Sequence, residues 1–200
     1  MNYKFLFYIF CIFLLFEKNA LADELNIDSS EIKVIDEGNI INALNIKASI
    51  PNKKIEIEGD KSIYDKKKSE LTIIDNVKFF DELKNVYLEG KKVIYNQITD
   101  IVQTFGETYI KIESKYDVYS QDLVYDRKSQ KIYSNKETTI KDNKKNIFNL
   151  EDSFVFDINN KTISSDKTNI IDNNNNEYEF EKAKIDLKSN AIAGKELKVN

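Results

Sequence analysis

Carboxylates dominate the reactive side chains of this sequence: it has 34 Asp and Glu residues and no histidine. Nucleophilic triads need a base, most often His, to activate Ser or Cys. The single cysteine, Cys11, lies inside an apolar N-terminal run. Zinc and other transition-metal sites lean on His and Cys, so no metal ligand set is expected. No Asp-x-Asp-x-Asp pattern suggests calcium, and the five scattered glycines form no phosphate-binding loop. Two acids suffice for glycoside hydrolysis, which leaves an acid-only hydrolase formally open. The acids, however, occupy the wet positions of alternating stretches such as Ile55-Glu56-Ile57-Glu58, and no pair stands out. The expectation is a protein that is not an enzyme, with no catalytic residues and no cofactor.

The elements that carry these residues read as β-strands. Apolar and polar residues alternate with period two in Ile55-Glu56-Ile57-Glu58, Ile110-Lys111-Ile112 and Tyr178-Glu179-Phe180-Glu181. β-branched and aromatic residues fill the apolar positions. A unit of about 31 residues recurs, with anchors at Tyr64, Tyr95, Tyr125, Phe156 and, more weakly, Leu187. A polar turn follows each of the first four anchors, and a second apolar segment then opens at Leu71, Ile101, Ile132 and Ile163. A fixed period of this size points to stacked supersecondary units. Gly59 and Gly90 hold the same place in successive units and read as a repeated bend or bulge. Pro51 suits a turn or an edge, and Asn173 to Asn176 read as a loop.

The N-terminus reads as a targeting segment. Lys4 precedes an unbroken apolar run from Phe5 to Phe16, and Ala20-Leu21-Ala22 forms a small-x-small cleavage site. Together these make a secretory signal peptide over residues 1–22, the run being short for a bilayer span. One β domain is expected over 23–200. Cys11 would leave with the signal, so the exported chain must rely on an apolar core rather than on disulfides. The net charge is −4, with basic and acidic residues interleaved, which gives no footprint for nucleic acid. The last residues, Leu197-Lys198-Val199-Asn200, still alternate like a strand. With neither end capped, the array is expected to stack end to end with a partner or to continue into something longer.

The early Ser29-Ser30-Glu31-Ile32-Lys33-Val34 strand and the repeated apolar-x-apolar-Glu-Gly-x-Lys-x-x-Tyr unit (Ile55 to Asp65, Val86 to Asn96, more weakly Val118 to Asp126) resemble one family. So does the phrase Leu71-Thr72-Ile73-Ile74-Asp75-Asn76-Val77-Lys78-Phe79, in which that family often has Gly where Asp75 stands. The family is the OstA-like periplasmic domain of the lipopolysaccharide transport (Lpt) machinery. The resemblance implies an all-β fold, a twisted antiparallel β-jelly roll or V-shaped sandwich of two facing sheets. It implies a periplasmic protein: either a freestanding LptA-like bridge, or the N-terminal domain of an outer-membrane-associated, LptD-type assembly protein. It also implies lipopolysaccharide as ligand, through its lipid A acyl chains. The implied partners are other Lpt β-jelly-roll proteins joined by edge-strand addition, with head-to-tail homo-oligomers.

By position in the repeat, the expected lipid-lining residues are Ile55, Ile57, Tyr64, Ile73, Val77 and Phe79, then Val86, Leu88, Tyr95, Ile110 and Ile112, then Val118, Tyr125 and Phe156. A one-residue slip would invert any strand. The same residues would serve as ordinary packing in the alternative reading, a structural or adhesive cell-surface β-repeat protein with a filled core.

Overall fold

The computed structural model describes residues 24–199, and over them the chain is antiparallel β apart from two single 3-10 turns, Asp36–Gly38 and Pro51–Lys53. The signal segment expected over 1–22, with Cys11, lies outside the described residues. The strands are β1 (Asn26–Asp28), β2 (Glu31–Ile35), β3 (Ile40–Ile50), β4 (Ile55–Asp65), β5 (Glu70–Asp81) and β6 (Val86–Asn96). They continue as β7 (Ile101–Ile112), β8 (Tyr116–Gln121), β9 (Val124–Asp126), β10 (Lys131–Ser134), β11 (Thr138–Asp142) and β12 (Ile147–Leu150). The last five are β13 (Phe154–Asp157), β14 (Thr162–Ile171), β15 (Glu177–Asp186), β16 (Ala191–Lys195) and β17 (Lys198–Val199). Among the described residues no helix is long and apolar enough to cross a membrane.

All 17 strands belong to one sheet. β3 to β7 form a meander of sequence neighbours. The short strands are halves of long ones: β8 and β9 both pair with β7, β12 and β13 with β14, β16 and β17 with β15, and β1 and β2 with β3. The strands are thus linked into a single sheet of long strands, broken or bulged near their middles, whose two halves face each other across the bend.

Those breaks form a crease across the sheet. Register shifts fall between Glu58 and Lys61, between Ile74 and Val77, and between Gly90 and Lys92. Asn45, Asp75, Asn76, Asp122 and Lys167 take positive φ there, and Gly106 has φ 81°. Asn and Asp tolerate that region better than most residues. Because a bulge adds a residue to one strand, it can change which parity faces inward. In β6 the buried positions are Val86 and Leu88 before the crease, and Val93 and Tyr95 after it. In β14 they are Ile163 and Ser165, then Thr168 and Ile170. Hydrogen bonding thus continues around the bend while the apolar face stays on one side.

The bend brings the two rims of the sheet together. One rim carries the turns at 66–69, 97–100, 127–130, 158–161 and 187–190, and the other those at 51–54, 82–85, 113–115, 143–146 and 172–176. Arg127 of the first rim reaches Asp81 and the Lys53 carbonyl on the second. Lys161 reaches Glu113, and Lys144 reaches Asn190. The apolar residues are enclosed between crease and seam, with Leu25 and Ile27 packed against them near the N-terminus of the chain.

Candidate functional site: the apolar interior and its seam

Turn chemistry sets the rims in place. Asp142 Oδ1 accepts from the backbone N–H groups of Lys144 and Asn146, and Asp172 Oδ1 from those of Asn174 and Asn176. Asp186 Oδ1 accepts from Lys188 and Ser189, and Asp126 Oδ1 from Lys128 and Ser129. Such side-chain-to-backbone bonds are why Asp favours turns. They also stabilise the charged form. The Asn176 amide and backbone hold the Asp172 carboxyl below the usual carboxylate range, and the N–H groups of Ser189 and Lys188 do the same for Asp186.

The structure places the expected lining residues on the interior face. Ile55, Ile57, Ile73, Val77, Phe79, Val86, Leu88, Tyr95, Ile110, Ile112, Val118, Tyr125 and Phe156 are all buried, and Tyr64 packs half-buried beside them. Phe79 sits between Tyr95 and Tyr125, with centroid distances of 6.3 and 6.5 Å. None of the thirteen is more than 1 % exposed, so in this state they form a closed core and not an open trough.

Over this part the seam is fastened by a buried ionic cluster. Arg127 Nε donates to Asp81 Oδ2 at 2.7 Å, and Nη1 forks onto the Asp100 carboxylate at 2.8 and 2.9 Å. Tyr125 Oη donates to Asp81 at 2.9 Å and Tyr95 Oη to Asp100 at 2.7 Å. Lys53 Nζ lies 3.3 Å from Asp100 Oδ1. Burial alone would push the Asp100 carboxyl up, but the Tyr95 hydroxyl, Arg127 and Lys53 together hold it below its ordinary value. Burial, followed by the nearby Asp81 charge, pushes the Tyr125 hydroxyl up. These carboxylates are thus committed to holding the rims together. The sequence reading missed them, although a signal was present: Arg127 is the only arginine among 30 basic residues. Arg offers a rigid fork that Lys lacks.

The seam is looser towards the C-terminus of the chain. There the rims are bridged by Lys161 with Glu113 and by Lys144 with Asn190, pairs within reach of solvent. Between them opens a cavity of about 480 Å³, within the roughly 300–1,000 Å³ range of ligand pockets. Tyr116, Phe148, Ile170, Tyr178, Ile185 and Leu187 supply its apolar surface, and Lys115, Asp142, Asp172 and Asp186 its charged rim. None of the fourteen expected residues lines this mouth. Only the weak fifth anchor, Leu187, pointed to it.

The all-antiparallel sheet, bent on itself around an apolar interior, resembles the LptA type of fold. The chain is similar in structure to LptH of Pseudomonas aeruginosa, the LptA-homologous periplasmic component of the lipopolysaccharide transport device. The TM-score is 0.50 at 11% identity, over 56% of this chain and 83% of that one. No family profile and no curated protein matches the sequence.

Proposed function

We propose that the protein binds lipopolysaccharide in the periplasm, shelters the lipid A acyl chains in the interior of its folded sheet, and passes them towards the outer membrane. The observation that carries this reading is the likeness to LptH, joined to an apolar interior with a mouth in its seam. Each acyl CH₂ removed from water is worth about 0.8 kcal/mol, so a chain of about twelve carbons needs on the order of 10 kcal/mol of shelter. An apolar lining supplies this without a reactive group, which is why the role is transport and not catalysis. The acyl chains enter at the mouth, and the sugars and phosphates stay in water beside its charged rim. From there they reach the row of inward residues that recurs with the 31-residue unit of the jelly roll, Phe156, Tyr125 and Tyr95 among them, as the closed core yields.

Among the described residues, both ends of the sheet present unpaired edges. β2 exposes Ile32, Val34 and Ile35, and β16 exposes Ile192. Other Lpt β-jelly-roll proteins, or a second copy, add their strands there. Export by the N-terminal signal places the chain in the periplasm, as a freestanding bridge or as the first domain of an LptD-type protein.

The test is photo-crosslinking in cells, with the probe at Tyr178 or Leu187 in the mouth and at Ile63 on the outer face. Lipopolysaccharide adducts are expected from the first two positions and not from Ile63. Silence at all three, in protein shown to be folded and exported, refutes the reading. A second reading, a structural β-repeat protein with a filled core, draws on the closure of the interior around Phe79. It predicts that no lipid copurifies at any stage.

A further inference from the structure

The outer face of the sheet carries a second cleft, of about 1430 Å³, that runs along the crease and meets the core only at Val77. Its floor is a row of directly opposed residues on successive strands: Lys78, Glu89, Tyr109, Tyr119 and Thr139. The crease raises its wall, with Phe105, Glu107 and Gln121. The Tyr109 and Tyr119 rings lie 5.3 Å apart with planes inclined at 39°. Tyr109 is pinned by donating its hydroxyl to Asp117 Oδ1 at 2.5 Å, and Lys141 Nζ lies 5.5 Å from the Tyr119 ring centre. Tyr119 is nonetheless 47% exposed, an outlay of aromatic surface that the lipid reading does not use.

The lining selects among ligand classes. β7 and β8 are paired on both sides, so the cleft offers no free edge to a peptide backbone. Five carboxylates (Asp60, Asp75, Glu89, Glu107, Glu137) face three lysines and no arginine, which disfavours a phosphate-rich ligand. The polar row is ill suited to an acyl chain. A neutral sugar meets each condition. Its C–H face packs on the electron-rich face of an aromatic ring, and its hydroxyls donate to carboxylates while accepting from lysine and amide groups. The volume exceeds the roughly 300–1,000 Å³ of a small-molecule pocket, and the cleft is open along its length, so several linked rings fit.

We propose that this outer cleft is a binding site for a neutral oligosaccharide, with sugar rings over the Tyr109–Tyr119 pair and hydroxyls on Glu89, Glu107, Lys78 and Gln121. The test is calorimetric titration of the purified protein with neutral tetra- to hexasaccharides of glucose, galactose, mannose and N-acetylglucosamine, beside phosphorylated counterparts. Expected is saturable binding of at least one neutral ligand, weakened tenfold or more by Tyr119→Ala and retained by Tyr119→Trp, with unchanged urea unfolding midpoints. Binding should also survive Leu187→Glu at the mouth, which separates this site from the lipid site. The proposal is overturned if no neutral glycan binds, if only phosphorylated ones do, or if Tyr119→Ala binds as tightly as the parent protein.

Discussion

Arg127→Met removes the guanidinium that fastens one rim of the sheet to the other, and its cost follows from what is left behind. Asp81 is fully buried and would keep only the Tyr125 hydroxyl and the Lys84 backbone N–H. Asp100 would keep Lys53 and Tyr95. Deleting one partner of a buried ion pair costs about 3–5 kcal/mol, because an uncompensated charge remains. With a urea dependence of about 2–3 kcal/mol per molar for a chain of this size, the unfolding midpoint falls by about 1–2.5 M. Equilibrium unfolding followed by circular dichroism reads this directly. Arg127→Lys keeps the charge but not the fork, so it should fall between the two. Acid supplies an independent check. The folded-state Asp100 carboxyl is depressed, so its contribution is fully present above the ordinary carboxylate value of about 3.9 and is lost as pH falls through the folded value. Arg127 is one source of that depression, so the stability gap between parent and Arg127→Met should narrow below about pH 4. A midpoint shift under about 0.3 M at neutral pH, or a gap that widens in acid, would refute the reasoning.

Other outcomes follow from the same geometry. Gly59→Ala would set its Cβ 2.4 Å from the Ile73 Cγ2 in the closed core; overpacking of this kind costs about 1–3 kcal/mol. Gly90→Ala meets nothing nearer than 3.8 Å, at a position without positive φ, and should raise stability by about 0.5–1 kcal/mol in the same denaturation experiment. Leu187→Glu puts a charge in the half-buried mouth; lipopolysaccharide recovered with the purified protein should drop at least tenfold while the circular dichroism spectrum is unchanged. Ile32→Lys combined with Val34→Lys charges the exposed β2 edge and should abolish concentration-dependent self-association in sedimentation velocity.

Much of this architecture can be read from local pattern. Ile55-Glu56-Ile57-Glu58 alternates buried and exposed as its residue types demand. Gly59 and Gly90 both stand at register shifts. The inward positions of Tyr64 and Tyr95 are legible from their matching places after Gly59 and Gly90, and the structure turns both inward. Simple counting fails where a bulge changes parity, as between Leu88 and Val93. The seam was not legible. Arg127 and Asp81 are 46 residues apart, and no local rule marks Asp81 as different from the other turn-opening aspartates. Their meeting depends on how far the whole sheet bends. The mouth escaped for a related reason: its lining comes from four turns, and the turn at 187–190 meets the other three, on the opposite rim, only once the sheet has closed.

The uneven fastening of the seam makes the molecule anisotropic towards ions in solution. Counter-ions screen exposed charges within about 10 Å at 0.1 M salt, and buried pairs far less. The Lys161–Glu113 ion pair lies where salt can reach it, whereas the Arg127 guanidinium is only 5 % exposed. Rising ionic strength therefore slackens one end of the tube and spares the other. Amide protons of β14 and β15 should exchange faster in high salt while those of β5 and β6 keep their protection, a gradient along a single hydrogen-bonded sheet that a uniformly packed barrel would not display.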